Sequence, residues 1–207
     1  MNTTPVAFFD FDGTLTTGDT LLPFLKYVVG APTYYTKLAL LSPVLGAYAT
    51  KLLRNDIAKE IVLRQYLAGY PLKELQDIGK RFSEEIVPTM LRPEGIERLA
   101  WHQAQGHDCV LVSASLDVYL KEWAECQGFT AALTSSLRQD EYGKVTGHLN
   151  AANCFGWEKC LRIQAWMDKR KPDMTYAYGD SKGDIQMLQS VNEGWRYDAR
   201  SNRFLRT

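Results

Sequence analysis

The apolar run Val6-Ala7-Phe8-Phe9 ends abruptly in Asp10, Asp12 and Gly13, the pattern of a buried parallel strand running into a functional turn. A long tract with helical periodicity follows. Leu21, Leu22, Leu25, Val28 and Val29 recur at helical spacing until Gly30-Ala31-Pro32 stops them. Pro32 then suits the first turn of a second helix, and Ser42-Pro43 opens a third. A fourth is expected with Asn55 or Asp56 as its cap, Ile57, Ile61, Leu63 and Leu67 inside, and Gly69 at its end. Pro71 opens a fifth through Leu72, Leu75, Ile78 and Phe82. Strand-like alternation is missing from about Leu21 to Met90.

Beyond Arg92-Pro93 the pattern changes. Glu94 to Gln105 reads as a helix closed by Gly106, and Cys109 to Val112 as a strand. Ser115 is placed to cap the next helix, which Gly128 ends. Thr130 to Leu137 reads as one strand, and Asp140 to Lys144 as the turn before a return strand at Val145–Leu149. A helix over Trp157–Met167, a strand over Met174–Tyr178 and a helix from about Gly183 to Leu188 complete the alternation. Strands alternating with helices predict an α/β protein: a doubly wound, Rossmann-like parallel sheet with an all-helical cap inserted after its first strand. The boundaries expected are 1–15 and 92–207 for the core and 16–91 for the cap.

Composition narrows this picture little. With 45% hydrophobic and 23% charged residues and no net charge, the 207-residue chain has the profile of an ordinary globular protein without the basic stripe of a nucleic-acid binder. Cys109, Cys126, Cys154 and Cys160 lack paired metal-ligand spacing, which fits reduced thiols in a cytoplasmic enzyme. Met1 to Pro5 lacks the basic start of a secretory signal. The apolar stretch from Tyr27 to Leu53 is broken by Lys37, Pro32 and Pro43, too early for a spanning helix, which wants about 20 continuous apolar residues. Short buried helices are the simpler reading, and a lid meeting a lipid or membrane surface the sharper one.

Ligands of open parallel sheets bind beyond the carboxyl ends of the strands. The expected strand ends carry Asp10 and Asp12, then Ser113, then Asp180 and Asp184, with Lys159 opening the helix before the last strand. This is a set for phosphate chemistry. Carboxylates supply hard ligands to Mg²⁺, an Asp can attack phosphorus, and a second acid can serve the leaving group. Gly13 frees the turn for close backbone approach to a phosphate, and Lys159 and Ser113 offer charge and a donor to its oxygens.

Phe9-Asp10-Phe11-Asp12-Gly13-Thr14, Val112-Ser113-Ala114-Ser115, Lys159 and Gly179-Asp180-Ser181-Lys182-Gly183-Asp184 resemble, in order, the four motifs of the haloacid dehalogenase superfamily of phosphatases. The helical insertion and Gly143-Lys144-Val145-Thr146-Gly147 resemble its phosphoserine-phosphatase-like branch. The resemblance implies Asp10 as nucleophile and Mg²⁺ ligand. Asp12 would be general acid/base and metal ligand through its carbonyl. Asp180 would bind the metal directly, Asp184 through its water or by holding Lys159, and Ser113 and Lys159 would bind the phosphoryl group. Ser115 and Ser181 are candidate helpers. Asp19 stands where that branch has a glutamate for the substrate ammonium, and Ala114-Ser115 replaces a glycine pair.

Two substrate classes are therefore expected: a small, phosphoserine-like phosphomonoester, or a phosphatidylglycerophosphate-like lipid phosphate with peripheral membrane contact through the cap. A phosphotransferase or mutase on the same scaffold, and a phosphoacceptor signalling module, stay open at this stage. His102 and His107 read as surface or capping residues, His148 as structural, Tyr34, Tyr35 and Tyr48 as cap core, and Arg200, Arg203 and Arg206 as a solvated tail.

Overall fold

The computed structural model describes residues 3–207; Met1 and Asn2 of the leader reading lie outside the described residues. β1 (Val6–Phe9) is followed by α1 (Leu21–Val29), α2 (Ala31–Leu40), α3 (Ser42–Ala49), α4 (Asn55–Leu67), α5 (Leu72–Glu85) and the short α6 (Val87–Met90). Next come α7 (Pro93–Ala104), β2 (Asp108–Leu116), α8 (Asp117–Cys126), β3 (Ala131–Ser135), β4 (Leu137–Gln139) and β5 (Val145–Leu149). The chain closes with α9 (Trp157–Met167), β6 (Thr175–Gly179), α10 (Ile185–Gln189), β7 (Glu193–Asp198) and β8 (Arg203–Arg206).

The main sheet runs β3-β2-β1-β6-β7-β8, parallel except for β8. β1 lies between β2 and β6, so the strand order reverses at β1 and its carboxyl end opens at the switch point. The β1 alternation serves two buried faces. Val6 and Phe8 join Val110, Ala177, Ile163 and Met187 on one side, and Ala7 and Phe9 join Leu111, Leu99 and Tyr178 on the other. Such double burial is why the run reads as continuously apolar.

Two glycines seat the cap. A Cβ on Gly79 of α5 would collide with the Val118 carbonyl of α8, and one on Gly147 of β5 with the Arg64 backbone of α4. These pairs of elements meet backbone to backbone. Gly79→Val is expected to cost about 2–3 kcal/mol by overpacking the α5–α8 seam, read as a lower denaturant midpoint with an unchanged slope.

Several expectations need correction. Arg54 holds the position before α4, without a side-chain cap, so Asn55 and Asp56 lie within its first turn. Ile57 is exposed, and Ala58, Val62 and Tyr66 take the inner face with Leu63 and Leu67. The strand expected over Thr130–Leu137 breaks at Ser136, because β3 belongs to the main sheet and β4 leaves it to pair with β5. Ser115 lies inside β2, with Leu116 in the cap position of α8. The arginine-rich tail is partly strand: β8 pairs antiparallel with β7, Phe204 is buried, and Arg206 meets Glu193 at 3.2 Å. Tyr34 is buried, but Tyr35 and Tyr48 are exposed. His148 pairs with Glu60 of α4 at 2.9 Å, a structural tie between hairpin and cap. All four cysteines are free, and only Cys126 is exposed.

His102 overturns the surface reading most clearly. It is fully buried, with Nδ1 2.8 Å from Nδ1 of His107 and Nε2 2.9 Å from the Tyr178 hydroxyl. Burial, reinforced by His107 and Arg98, pushes its pKa down to about 4. A histidine held neutral in the fold but titrating near 6.5 when unfolded stabilises fully above about pH 6.5; that stability is lost as pH falls towards 4. Wild type is expected to lose on the order of 2–3 kcal/mol over this interval beyond what His102→Gln loses. Denaturant titrations of both proteins at pH 7 and pH 4.5 check it.

Candidate active site

Asp10 extends β1 by one rung, donating its N–H to the Tyr178 carbonyl at 2.9 Å. The chain then turns sharply. The N–H groups of Thr14, Leu15 and Thr16 converge on the Phe11 carbonyl, and Gly13 sits at φ +78°. No side chain fits at Gly13, because a Cβ there would strike the Asp180 carboxylate. Its N–H points to the Thr16 hydroxyl at 3.3 Å. Asp180 follows β6, and Asp184 ends the single 3₁₀ turn that comes after, where Ser181 and Asp184 cap each other reciprocally.

Lys159, in the first turn of α9, lies between two carboxylates: Asp10 Oδ1 and Asp184 Oδ1, each 2.6 Å from its Nζ. All three are buried. Burial works against the ammonium, but Asp10 and Asp184 outweigh it and hold its pKa above the usual lysine value. For Asp184, burial is outweighed by Lys159 and Ser181, leaving it below the ordinary carboxylate value. Asp10 is raised well above that value, by burial and by Asp184 and Asp12, against the pull of Lys159. Asp180 is raised by burial and the neighbouring Asp184 charge.

Asp10, Asp180 and Asp184 each offer an oxygen within 4.8 Å of the others. Thr14 bridges two of them, its hydroxyl 3.4 Å from both Asp10 Oδ2 and Asp180 Oδ1. An all-oxygen set of this kind fits Mg²⁺. The raised carboxyls of Asp10 and Asp180 are groups whose ionised forms a cation would favour. The Asp12 side chain is outside this cluster.

Asp12 is held by a separate set of hydrogen bonds. Its Oδ1 accepts the Thr20 N–H at 2.8 Å and the Thr20 hydroxyl at 2.6 Å, and its Oδ2 accepts the Ser115 hydroxyl. The Thr20 hydroxyl is in turn 3.1 Å from that of Tyr119. Burial and the charge of Asp19 raise Asp12 to about 6, against the hydrogen bonds from Ser115 and Thr20. A carboxyl titrating there can both give and take a proton near neutral pH.

These groups line one cavity of about 1210 Å³ that also takes in Ser113, Asp19 and the mouth residues Leu22, Leu45 and Tyr48. Ser113 is buried, its hydroxyl accepting the Ser115 N–H at 3.0 Å. Asp19 accepts the Leu22 N–H at 3.2 Å, at the start of α1. Every site residue expected from sequence therefore meets at this edge. Sequence reasoning missed Thr20, Tyr119 and Lys59. Thr20 carries a signal only in retrospect, as a hydroxyl opening the helix after the acidic turn. Lys59 carries none.

The sequence profile of the haloacid dehalogenase-like hydrolase family matches residues 7–189. The Protein CicA of Caulobacter vibrioides is 34% identical over 191 residues, covering 91% of this chain and 84% of its own. The probable phosphatase Rv3661 of Mycobacterium tuberculosis is 28% identical over 191 residues, 89% of this chain and 66% of its own. Among solved structures, a phospho-aspartyl intermediate analogue of phosphoserine phosphatase superposes with a TM-score of 0.66 at 17% identity, over 95% of this chain and 86% of that one.

Proposed function

The chain belongs to the haloacid dehalogenase-like hydrolase family, and from that premise we propose that it is a Mg²⁺-dependent phosphomonoester hydrolase with Asp10 as nucleophile. One observation carries the reading: the division of labour between Asp10, clustered with Lys159, Asp180 and Asp184, and Asp12, held 2.6–2.8 Å from Thr20 outside that cluster. A relative named a probable phosphatase supports it.

In this mechanism an oxygen of Asp10 attacks phosphorus and the bond to the ester oxygen breaks, giving an aspartyl phosphate. Asp12 passes its proton to the departing oxygen, then takes one from the water that cleaves the acyl phosphate. Lys159 and the Ser113 hydroxyl steady the phosphoryl oxygens. Asp10, Asp180, Asp184 and the Asp12 carbonyl would hold Mg²⁺, which when bound supplies the charge that lets a carboxylate approach a phosphate dianion. Gly13 keeps the turn open, and Asp19 and Ser115 border the leaving-group side. The helices between residues 16 and 91 act as the cap over a core of 1–15 and 92–207. Asp12 disfavours a phosphoacceptor module, since an acid/base beside the acyl phosphate hastens its loss.

For the leaving group, a lipid phosphate is favoured over a phosphoserine-like metabolite. α3 is largely apolar yet buries no side chain, and Leu40 and Leu52 beside it are 68% and 84% exposed. From Thr20 to Asn55 the chain has four basic residues and no acidic one, which suits peripheral contact with an anionic bilayer. No helix among the described residues is long and apolar enough to cross a membrane. Phosphate release should appear with detergent-dispersed lipid phosphates under Mg²⁺, exceed that from phosphoserine, and stop with EDTA. Full activity in EDTA would remove the metal from the proposal, and no release from lipids would remove that substrate class.

A further inference from the structure

Lys59 on α4 reaches out of the cap into the cavity wall. Its ammonium donates to the Ala114 carbonyl and to Asn153 Oδ1, the latter at 2.9 Å. Asn153 is buried and fixed from two more sides: its Nδ2 donates to Asn55 Oδ1 at 3.0 Å, and its Oδ1 accepts the Ser135 hydroxyl at 3.0 Å. Asn55 and Lys59 thus stand one helical turn apart on α4, both tied to the segment that follows β5. Among the described residues Lys59 has no carboxylate within ion-pair distance, which sets it apart from Lys159. A lysine kept in the wall of a site without a carboxylate partner costs desolvation. Burial pushes its pKa down to about 8, against the more distant charges of Asp12 and Asp19.

The acceptor it holds matters. Ala114 separates Ser113 from Ser115, the Ser115 N–H is anchored on the Ser113 hydroxyl, and the Ser115 hydroxyl donates to Asp12. A continuous path therefore runs from α4 through Lys59, the Ala114 peptide and Ser115 to the Asp12 carboxylate. We propose that Lys59 is a positioning residue: by holding the Ala114 carbonyl it fixes Ser115, and through it Asp12, so that proton delivery to the leaving group depends on α4 being seated over the core. This rests on the hydrolase reading above, with Asp12 as the acid.

The readout follows from what Asp12 does. A p-nitrophenolate departs without a proton, whereas an alkoxide needs one. For Lys59→Met, kcat/KM for an alkyl phosphate should fall about 10- to 100-fold, while that for p-nitrophenyl phosphate falls by less than about 3-fold. Ser115→Ala should give the same leaving-group signature, and the double variant should fall no further than the worse single one, as members of one path do. Lys59→Gln, which keeps an N–H donor, gives a milder second variant. Equal losses on both esters, or a rise in KM with kcat unchanged, would overturn the proposal in favour of packing or direct substrate binding; additive losses with Ser115→Ala would overturn the path. A wild-type protein that releases phosphate from neither ester would instead refute the hydrolase assignment.

Discussion

Asp10→Asn is expected to lower phosphate release by roughly 10⁴-fold or more, since it replaces the carboxylate proposed as nucleophile with a poorly nucleophilic amide. The fold should persist. Asparagine has nearly the same shape, and Lys159 keeps Asp184 at 2.6 Å, so the buried ammonium retains a carboxylate. The raised pKa of Asp10 points the same way, because burial already opposes its charge and a neutral amide removes that cost. Phosphate release and thermal unfolding measured on one preparation separate the two effects. Turnover within a few-fold of wild type would eliminate Asp10 as nucleophile.

Lys159→Met should damage both activity and stability. The thioether fills a similar volume but leaves Asp10 and Asp184 facing each other with no cation between them, their side chains only 8% and 1% exposed. Removing one partner from a buried charge cluster costs about 3–5 kcal/mol, because the remaining charges stay desolvated. That is a large part of an ordinary domain's stability of about 5–15 kcal/mol. A denaturant titration should show the midpoint falling far below that of Asp10→Asn. Activity should drop by about 10³-fold, since the charge proposed to stabilise the transferred phosphoryl group is gone. A Lys159→Met protein as stable as wild type would show that the lysine does not neutralise the cluster.

The contrast between these variants reflects which parts of the site could be read from sequence. Asp10, Asp12, Ser113, Asp180 and Asp184 each lie at or just beyond a strand whose apolar run is local and strong, so their convergence follows from topology alone. Lys159 follows from its place in the first turn of a helix between two such strands. Lys59 had no comparable handle. On α4 it looks like any polar helix residue, and only the docking of α4 on β5, permitted by Gly147, brings it to Ala114. The end of the chain was illegible for another reason. The edge strand β8 carries Arg203 and Arg206, and β7 beside it carries Arg196, so charged residues break up the apolar alternation of both. His102 misled because a helix C-terminus is normally a solvated place for histidine; here Tyr178 and His107 supply partners that solvent would otherwise provide.

The glycine seams also bear on how such an enzyme can be altered. Gly79 and Gly147 fasten the cap through main-chain contact, and neither borders the cavity. Leu22, Leu45 and Tyr48, which do border it, stand on α1 and α3 rather than on the elements that meet at those glycines. The glycine seams and the apolar part of the cavity lining are thus built from separate residues. Mutational drift at the cavity mouth can change what enters without undoing the lid's attachment, an arrangement that favours new substrate ranges on an unchanged catalytic base.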